Sequence, residues 1–214
     1  MFFNIFELLD IVLMTLVIGY LFHDVFRKPV HEGEDVLDHY RKKKHGPLGI
    51  EWHDFWWAAA LIAPSILLHE LGHKFVALGF GLSATFHAAC STASFVGWPV
   101  DPFMCGLTVL VVFLKVIGFP FLFFIPAAVA VGGGGTELQY ALVSFAGPAM
   151  NLLLWLGAAY LLKSKKYARR LSHKHRIYLF FFKKINMILF FFNMIPIRGF
   201  DGYSVITHLL NGLH

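Results

Sequence analysis

The chain has 214 residues, of which 57% are hydrophobic, 17% aromatic and only 14% charged. Because soluble domains carry about 25% charged residues, this composition excludes an ordinary soluble globule and a disordered chain. The net charge of +5 does not indicate a nucleic-acid partner, since most basic residues fall in two polar loops that lack a basic motif interleaved with aromatic residues.

Five apolar stretches follow one another along the chain, at residues 2–22, 56–82, 107–131, 138–162 and 177–197. Each is near the ~20 residues that a helix needs to cross a hydrocarbon core of about 30 Å. The pattern predicts an all-α, multi-pass integral membrane protein, a bundle of about four to six transmembrane helices within a lipid bilayer.

The apolar stretches divide the chain into predicted parts. These are a first transmembrane helix at 1–22, a polar and basic loop at 23–55, a membrane core at 56–205 whose last span is 177–200, and a C-terminal tail at 206–214. A second basic loop, at 163–176, interrupts the core. Its charge density leaves no apolar face to bury, so we expect it to be exposed and separate from any functional site.

The third apolar stretch, at 107–131, contains Gly118, Pro120 and Pro126 in its middle. Proline interrupts a helix, so we expect this stretch to enter the membrane and return, as a short re-entrant or β-like segment between the second and fourth stretches. Both basic loops would then lie on one face of the membrane. A single kinked crossing, which would place the loops on opposite faces, is the alternative.

The two cysteines, Cys90 and Cys105, are too few for a disulfide framework. Two buried free thiols are the favoured interpretation. One bridge between them stays open for a segment that faces an oxidising compartment.

The second apolar stretch contains the sequence His69-Glu70-Leu-Gly-His73. On a helix the two histidines are four residues apart and project from one face, where two imidazoles can bind one zinc ion. Glu70 lies between them and could accept a proton from the attacking water, whose pKa zinc lowers towards about 7. Ionisable residues inside a membrane span are costly and are usually kept for function.

A zinc site with two histidines and an open position needs a third protein ligand. Asp201 is the best candidate, because it follows the last span directly, where Pro196 ends the helix and glycines permit a sharp turn. Weaker alternatives are Glu137, Asp101 and His87.

Three motifs follow one another along the predicted membrane core: His69-Glu-Leu-Gly-His73, then Phe145-Ala-Gly147-Pro148-Ala-Met-Asn151, then Asn193-x-x-Pro196-x-x-x-x-Asp201-Gly202. Together they resemble the signatures of the site-2 protease family, the intramembrane zinc metalloproteases, over about residues 56–205. The chain departs from the family at Arg198, Gly199 and Phe200, where proline and leucine are usual.

The resemblance implies one zinc ion per chain, bound by His69, His73 and Asp201, with Glu70 as the residue that activates water. It also implies that Asn193 holds the substrate backbone or the oxyanion. The amide of Asn151 is a second candidate donor to an oxyanion, and a helix–helix hydrogen bond is an equal alternative for that residue.

The sequence thus predicts a zinc metalloendopeptidase that cuts a peptide bond within or near a transmembrane helix of a protein substrate, as in regulated intramembrane proteolysis. A metal transporter or sensor is the alternative from another class, because His and Asp residues in membrane spans can line an ion path. A catalytically inactive scaffold is a third possibility, which the complete set of four site residues disfavours.

Overall fold

The computed structural model describes residues 4–25, 51–88, 90, 102–117 and 127–213. Helices dominate this part of the chain. In order, its elements are α1 (Ile5–Phe22), α2 (Trp52–Gly79), β1 (Ser83–Ala88), α3 (Pro102–Val116), β2 (Ala127–Gly132), α4 (Glu137–Lys163), α5 (Lys165–Ala168), α6 (His173–Asn193) and α7 (Asp201–Asn211).

Three helices within the described ranges, α1, α2 and α4, are long and apolar enough to cross a membrane. Helix α3 has only 15 residues, which is short of the ~20 needed. Helix α6 has 21 residues but carries Arg176, Lys183 and Lys184, so its composition does not mark it as a span. Of the five predicted spans, three are therefore supported by length and composition.

The predicted apolar stretch at 107–131 contains parts of two elements. Helix α3 ends at Val116, and residues 127–132 form strand β2. The strand consists of alanine, valine and glycine, and it pairs with β1 in a two-stranded sheet. A β-like segment between the second and fourth stretches was predicted, and this sheet confirms it. The predicted breaks at Gly118, Pro120 and Pro126 lie outside the described residues.

The chain divides into two compact units. One comprises Met1–Ala63 and Ala88–Pro126, and the other comprises Pro64–His87 and Ala127–His214. Helix α2 contributes its first part to one unit and the part from Pro64 onward to the other.

In the first unit, polar side chains of α1 anchor a helix that is otherwise apolar. Asn4 and Glu7 form a capping box at its start, which satisfies backbone N–H groups that have no partner within the helix. Asp10 is fully buried and accepts a hydrogen bond from the backbone N–H of Ala88 at 3.2 Å. Gly19 lets α1 approach Phe55, whose ring would meet a Cβ at 2.8 Å.

The first unit also contains a disulfide between Cys90 and Cys105. The two Cα atoms are 4.6 Å apart, within the range that a disulfide spans. The interpretation of these residues as free thiols is therefore wrong. A separation of 15 residues gives no local pattern that would have predicted the bond.

In the second unit, α2 and α4 run antiparallel. Ala77, near the end of α2, packs with Val143, near the start of α4, while Gly72, earlier on α2, lies against Ala146, later on α4. Helix α4 also packs against α6 and α7, so it is the central helix of this unit.

The sheet extends this packing beyond the end of α2. The first residue of β1, Ser83, donates its hydroxyl hydrogen to the carbonyl of Gly132, the last residue of β2, at 2.9 Å. The two strands therefore run in opposite directions. Alternate residues of β1 are buried, and Ala84 joins Ala77, Leu82 and Val143 in a small apolar core.

The two predicted polar segments of the second unit have different structures. The basic loop 163–176 is largely exposed, as predicted, and includes the short helix α5. The predicted tail at 206–214 includes the second half of α7. A hydrogen bond of 2.7 Å between Glu137 and His208 joins α7 to the start of α4. Most of the first basic loop, residues 23–55, lies outside the described ranges.

We predict that cysteines introduced at Ser164 and at His39, one at a time, will react with an impermeant thiol reagent from the same side of sealed vesicles. If both α2 and α4 cross the bilayer antiparallel, the chain before α2 and the chain after α4 share one face. The native cysteines are paired and give no background. Reaction of one site and protection of the other, with both reactive after detergent is added, would refute the shared face.

Candidate metal centre

The two histidines of α2 meet as their spacing predicts. The Nε2 atoms of His69 and His73 lie 3.1 Å apart, and the two residues are only 6% and 7% exposed. Residues four apart on a helix lie one above the other on one face. Both imidazoles therefore turn the same nitrogen towards one point inside the protein.

Asp201 brings a carboxylate to that point from the start of α7. Its Oδ2 lies 3.1 Å from His69 Nε2, and its Oδ1 lies 3.4 Å from His73 Nε2. Three ligand atoms, one from each residue, lie within 4.8 Å of one another. The structure thus brings together the three residues for which the sequence predicts a metal site.

A sharp reversal of the chain between α6 and α7 places Asp201. Gly199 has a φ of 102°, a conformation that glycine adopts without steric cost. A Cβ on Gly202 would overlap the carbonyl of Met194, so only glycine lets the start of α7 fold back onto the end of α6. The departure from the family pattern at 198–200 therefore still produces a turn that delivers the carboxylate.

The separations fit a tetrahedral zinc ion. Zinc bonds to nitrogen and oxygen are about 2.0–2.1 Å long, so neighbouring ligand atoms of a tetrahedron lie about 3.3 Å apart. The two Nε2 atoms are 3.1 Å apart, and each lies 3.1 or 3.4 Å from a different oxygen of Asp201, while one ligand atom from each residue lies within 4.8 Å of the others. Zinc prefers a donor set of this kind, in which two imidazole nitrogens and a carboxylate oxygen turn their lone pairs to one point.

Helix α4 leaves room for this cluster because it has glycine where it meets the histidines. A Cβ on Gly147 would overlap His73 Nε2 and lie 2.6 Å from His69 Nε2. On the facing helix, a Cβ on Gly72 would lie 2.8 Å from the carbonyl oxygen of Ala146. Small residues that let two membrane helices approach closely are common at such contacts.

The second nitrogen of each imidazole has a different environment. His73 Nδ1 lies 2.7 Å from the carbonyl oxygen of Val143, which only accepts, so Nδ1 carries the hydrogen and Nε2 is free to bind a metal. His69 Nδ1 is buried and has no hydrogen-bond partner among the described residues.

The carboxyl group of Asp201 is ionised at neutral pH. Burial raises its pKa, but in the metal-free site His69 and His73 rings that carry a hydrogen on Nε2 donate it to the carboxylate, and their charge and these hydrogen bonds lower the pKa to about 2. A metal ion would take the place of those hydrogens and leave each Nε2 free to bind it. An ionised carboxylate is the form that binds a metal ion.

Glu70 is buried beside the cluster, with only 5% of its surface exposed. It interacts electrostatically with His69, His73 and Asp201, so its carboxyl group lies near the point where the ligands meet. This is the place from which a carboxylate could exchange a proton with a water molecule at the site.

The other predicted residues lie in different surroundings. Asn193 ends α6 and is partly exposed, and Asn151 is completely buried in α4. Of the weaker ligand candidates, Glu137 contacts His208, His87 contacts Thr85, and Asp101 lies outside the described residues. The catalytic roles of Asn193 and Asn151 stay predictions.

Sequence reasoning missed two contributors to the centre. The carbonyl of Val143 holds His73, and no side chain marks a backbone acceptor in a sequence. Gly72 allows the close approach of Ala146. The sequence did offer an indication of this contact, because a glycine stands between Glu70 and His73 within the motif.

We predict that Gly147→Ala will abolish zinc binding, because the new methyl group would overlap His73 Nε2. The matched control is Gly157→Ala on the same helix, where a Cβ meets nothing within 4 Å. That control should bind zinc normally and gain about 0.5–1 kcal/mol of stability. Metal content and helical circular dichroism of the purified variants measure both effects. A Gly147→Ala variant with a full complement of zinc would contradict the geometry.

Comparison with known proteins identifies one relevant relative. The chain is 31% identical, over 159 residues, to a protein of Mycolicibacterium smegmatis (strain ATCC 700084 / mc(2)155) named "Putative zinc metalloprotease Rip2". The matched region covers 69% of this chain and 54% of the relative, so the chain spans about half of that protein's length. No protein-family model matches the chain, and no solved structure is significantly similar to it. The relative's name describes that protein as a "Putative zinc metalloprotease".

Proposed function

We propose that this chain is an intramembrane zinc metalloendopeptidase of the site-2 protease family. The observation that carries the proposal is the meeting of His69, His73 and Asp201 at one point beside the buried Glu70. The two histidines and Glu70 belong to α2, which is long and apolar enough to cross a membrane. The relative from Mycolicibacterium smegmatis supports the same assignment.

One zinc ion per chain would be held by His69, His73 and Asp201. A zinc ion at such a site lowers the pKa of a water molecule towards about 7 and polarises the carbonyl group under attack. The overlap of a Cβ on Gly147 with the histidines leaves α4 as a close wall on one side of the site, which restricts access to it.

Glu70 would move the proton. Its carboxylate would accept a proton from the attacking water and then donate it to the amine that leaves when the peptide bond breaks. Because Glu70 is buried, bulk water does not compete for this proton. A residue in this role must be ionised before the attack and protonated after it.

Asn193 would hold the substrate backbone or donate to the oxyanion. It lies at the end of α6, eight residues before Asp201, and a donor aimed at the developing negative charge is worth about 2.7–4 kcal/mol in comparable sites. The sequence also makes Asn151 a candidate donor, and this residue is considered further below.

The substrate would be a transmembrane helix of another protein. The carbonyl groups of a helix are already hydrogen-bonded, so the substrate must unwind locally before attack. The sheet of β1 and β2 has two strands within the described ranges, and an extended segment could add to such a sheet by backbone hydrogen bonds. We propose this capture as the step that exposes the bond to be cut.

We predict that Glu70→Gln will lower cleavage of a transmembrane substrate at least about a hundredfold and will retain one zinc per chain. The change removes the proton acceptor but leaves the three ligands in place. The control is Glu137→Gln, which alters a carboxyl group outside the cluster and should keep both zinc and activity. Cleavage assays with the detergent-solubilised protein, together with metal analysis, give both results.

Full activity in the Glu70→Gln variant would overturn this mechanism. Zinc flux into liposomes without cleavage of any helical substrate would instead favour a metal transporter. Retained zinc without either activity would favour an inactive scaffold.

We predict that Asp201→Ala will reduce bound zinc from about one per chain to a small fraction, because two imidazoles alone form a weaker site than two imidazoles and a carboxylate. Asp201→Glu tests whether the turn before α7 fixes the ligand distance, and it should recover only part of the zinc. Zinc content after dialysis against a mild chelator measures the difference. Wild-type zinc content in Asp201→Ala would show that another residue is the third ligand.

A further inference from the structure

Buried polar groups lie one helical turn beyond the metal centre, at the contact of α2 and α4. The Nδ1 atom of His69 and both amide atoms of Asn151 are buried without a hydrogen-bond partner in the described part of the chain. Asn151 is 0% exposed. Buried polar atoms in native proteins are nearly always hydrogen-bonded. A buried donor and a buried acceptor that lie near each other are therefore expected to be joined by a hydrogen bond or by a water molecule.

The register of the two helices places these groups at the same level. Gly147 faces the histidines, and Asn151 follows it by four residues, so it projects from the same face of α4 one turn further on. Since α2 and α4 run antiparallel, moving from Gly147 to Asn151 corresponds to moving from His73 towards His69 and Ser65. Asn151 is therefore on the His69 side of the metal centre.

The two histidines differ in the contact of the ring nitrogen that faces away from the metal site. His73 has its Nδ1 hydrogen taken up by the carbonyl of Val143, whereas His69 has no such contact with a described residue. A histidine that binds a metal almost always donates its other ring N–H to a carboxylate, a carbonyl or a water molecule, and this contact fixes the tautomer and the orientation of the ring.

We propose that Asn151 is the positioning residue of His69, with its Oδ1 accepting the Nδ1 hydrogen of His69 through one bridging water molecule. The contact keeps the hydrogen on Nδ1, so Nε2 retains the lone pair that binds zinc. The inference rests on the proposed zinc centre and assigns Asn151 to the metal ligand, whereas the sequence made it a candidate donor to the oxyanion.

A second buried asparagine provides a matched control. Asn186 of α6 is also 0% exposed, but its Nδ2 donates to Ser65 Oγ at 2.9 Å and to the carbonyl of Phe182 at 2.8 Å. These contacts join α6 to α2, while Asn186 Oδ1, like the amide of Asn151, is buried without a hydrogen-bond partner among the described residues. Removing either amide deletes a buried polar group of the same size, and only the removal of Asn151 should affect the metal.

The test compares the zinc affinity of the full chain in detergent, by competition with a fluorescent chelator, in wild type and three variants. Asn151→Leu should weaken zinc binding about 10–100-fold, the usual effect of losing such a contact. Asn151→Asp keeps an acceptor oxygen and should restore affinity to within about threefold of wild type. Asn186→Leu should also stay within about threefold, although it destabilises the protein.

Four outcomes would overturn the inference. Unchanged zinc affinity with lower kcat in Asn151→Leu would assign Asn151 to the oxyanion. Equal losses of affinity in Asn151→Leu and Asn186→Leu would indicate general loss of packing, as would failure of Asn151→Asp to restore binding. Absence of zinc binding by the wild type would remove the centre itself. Wild-type zinc binding and the expected variant pattern, but no proteolysis, would support the inference and defeat only the proposed function.

Discussion

The close contact of α2 and α4 at their glycines is the constraint on which the candidate site depends. Without a side chain at Gly72 or Gly147, the backbone of each helix reaches the other, and the carbonyl of Val143 comes within hydrogen-bonding distance of His73. The same central helix packs against α7, which begins at Asp201. A bulkier α4 would separate the histidines from the carboxylate, so packing and metal chemistry share one structural requirement.

The apolar surroundings explain why several polar groups of this unit lie against one another. A polar group buried without a partner costs free energy, and in a membrane no water is present to compensate. His69, His73 and Asp201 therefore turn towards one another, Asn186 binds Ser65, and Glu70 lies beside three polar neighbours. A cation at the centre would complete this pattern, since three groups that each offer a lone pair are satisfied together by one positive ion.

How much the sequence predicts depends on how local each feature is. The pairing of His69 with His73 follows from helical periodicity, whereas the position of Asp201 was inferred from a motif and a resemblance, because it lies 128 positions after His73. Hydropathy correctly marks α1, α2 and α4, but it cannot distinguish a span from a short helix followed by a strand, as at 107–131. The Cys90–Cys105 bond and the contact of Val143 with His73 depend on tertiary structure that no local pattern encodes.

The most direct test of the central claim is an X-ray absorption spectrum at the zinc edge of the purified, zinc-loaded protein. The account predicts a four-coordinate ion with only nitrogen and oxygen ligands at about 2.0–2.1 Å, and the multiple scattering of two imidazole rings. Substitution of His69 by alanine should remove one ring from that signal. Sulfur ligands, six oxygen ligands or the absence of imidazole scattering would contradict a centre built from His69, His73 and Asp201.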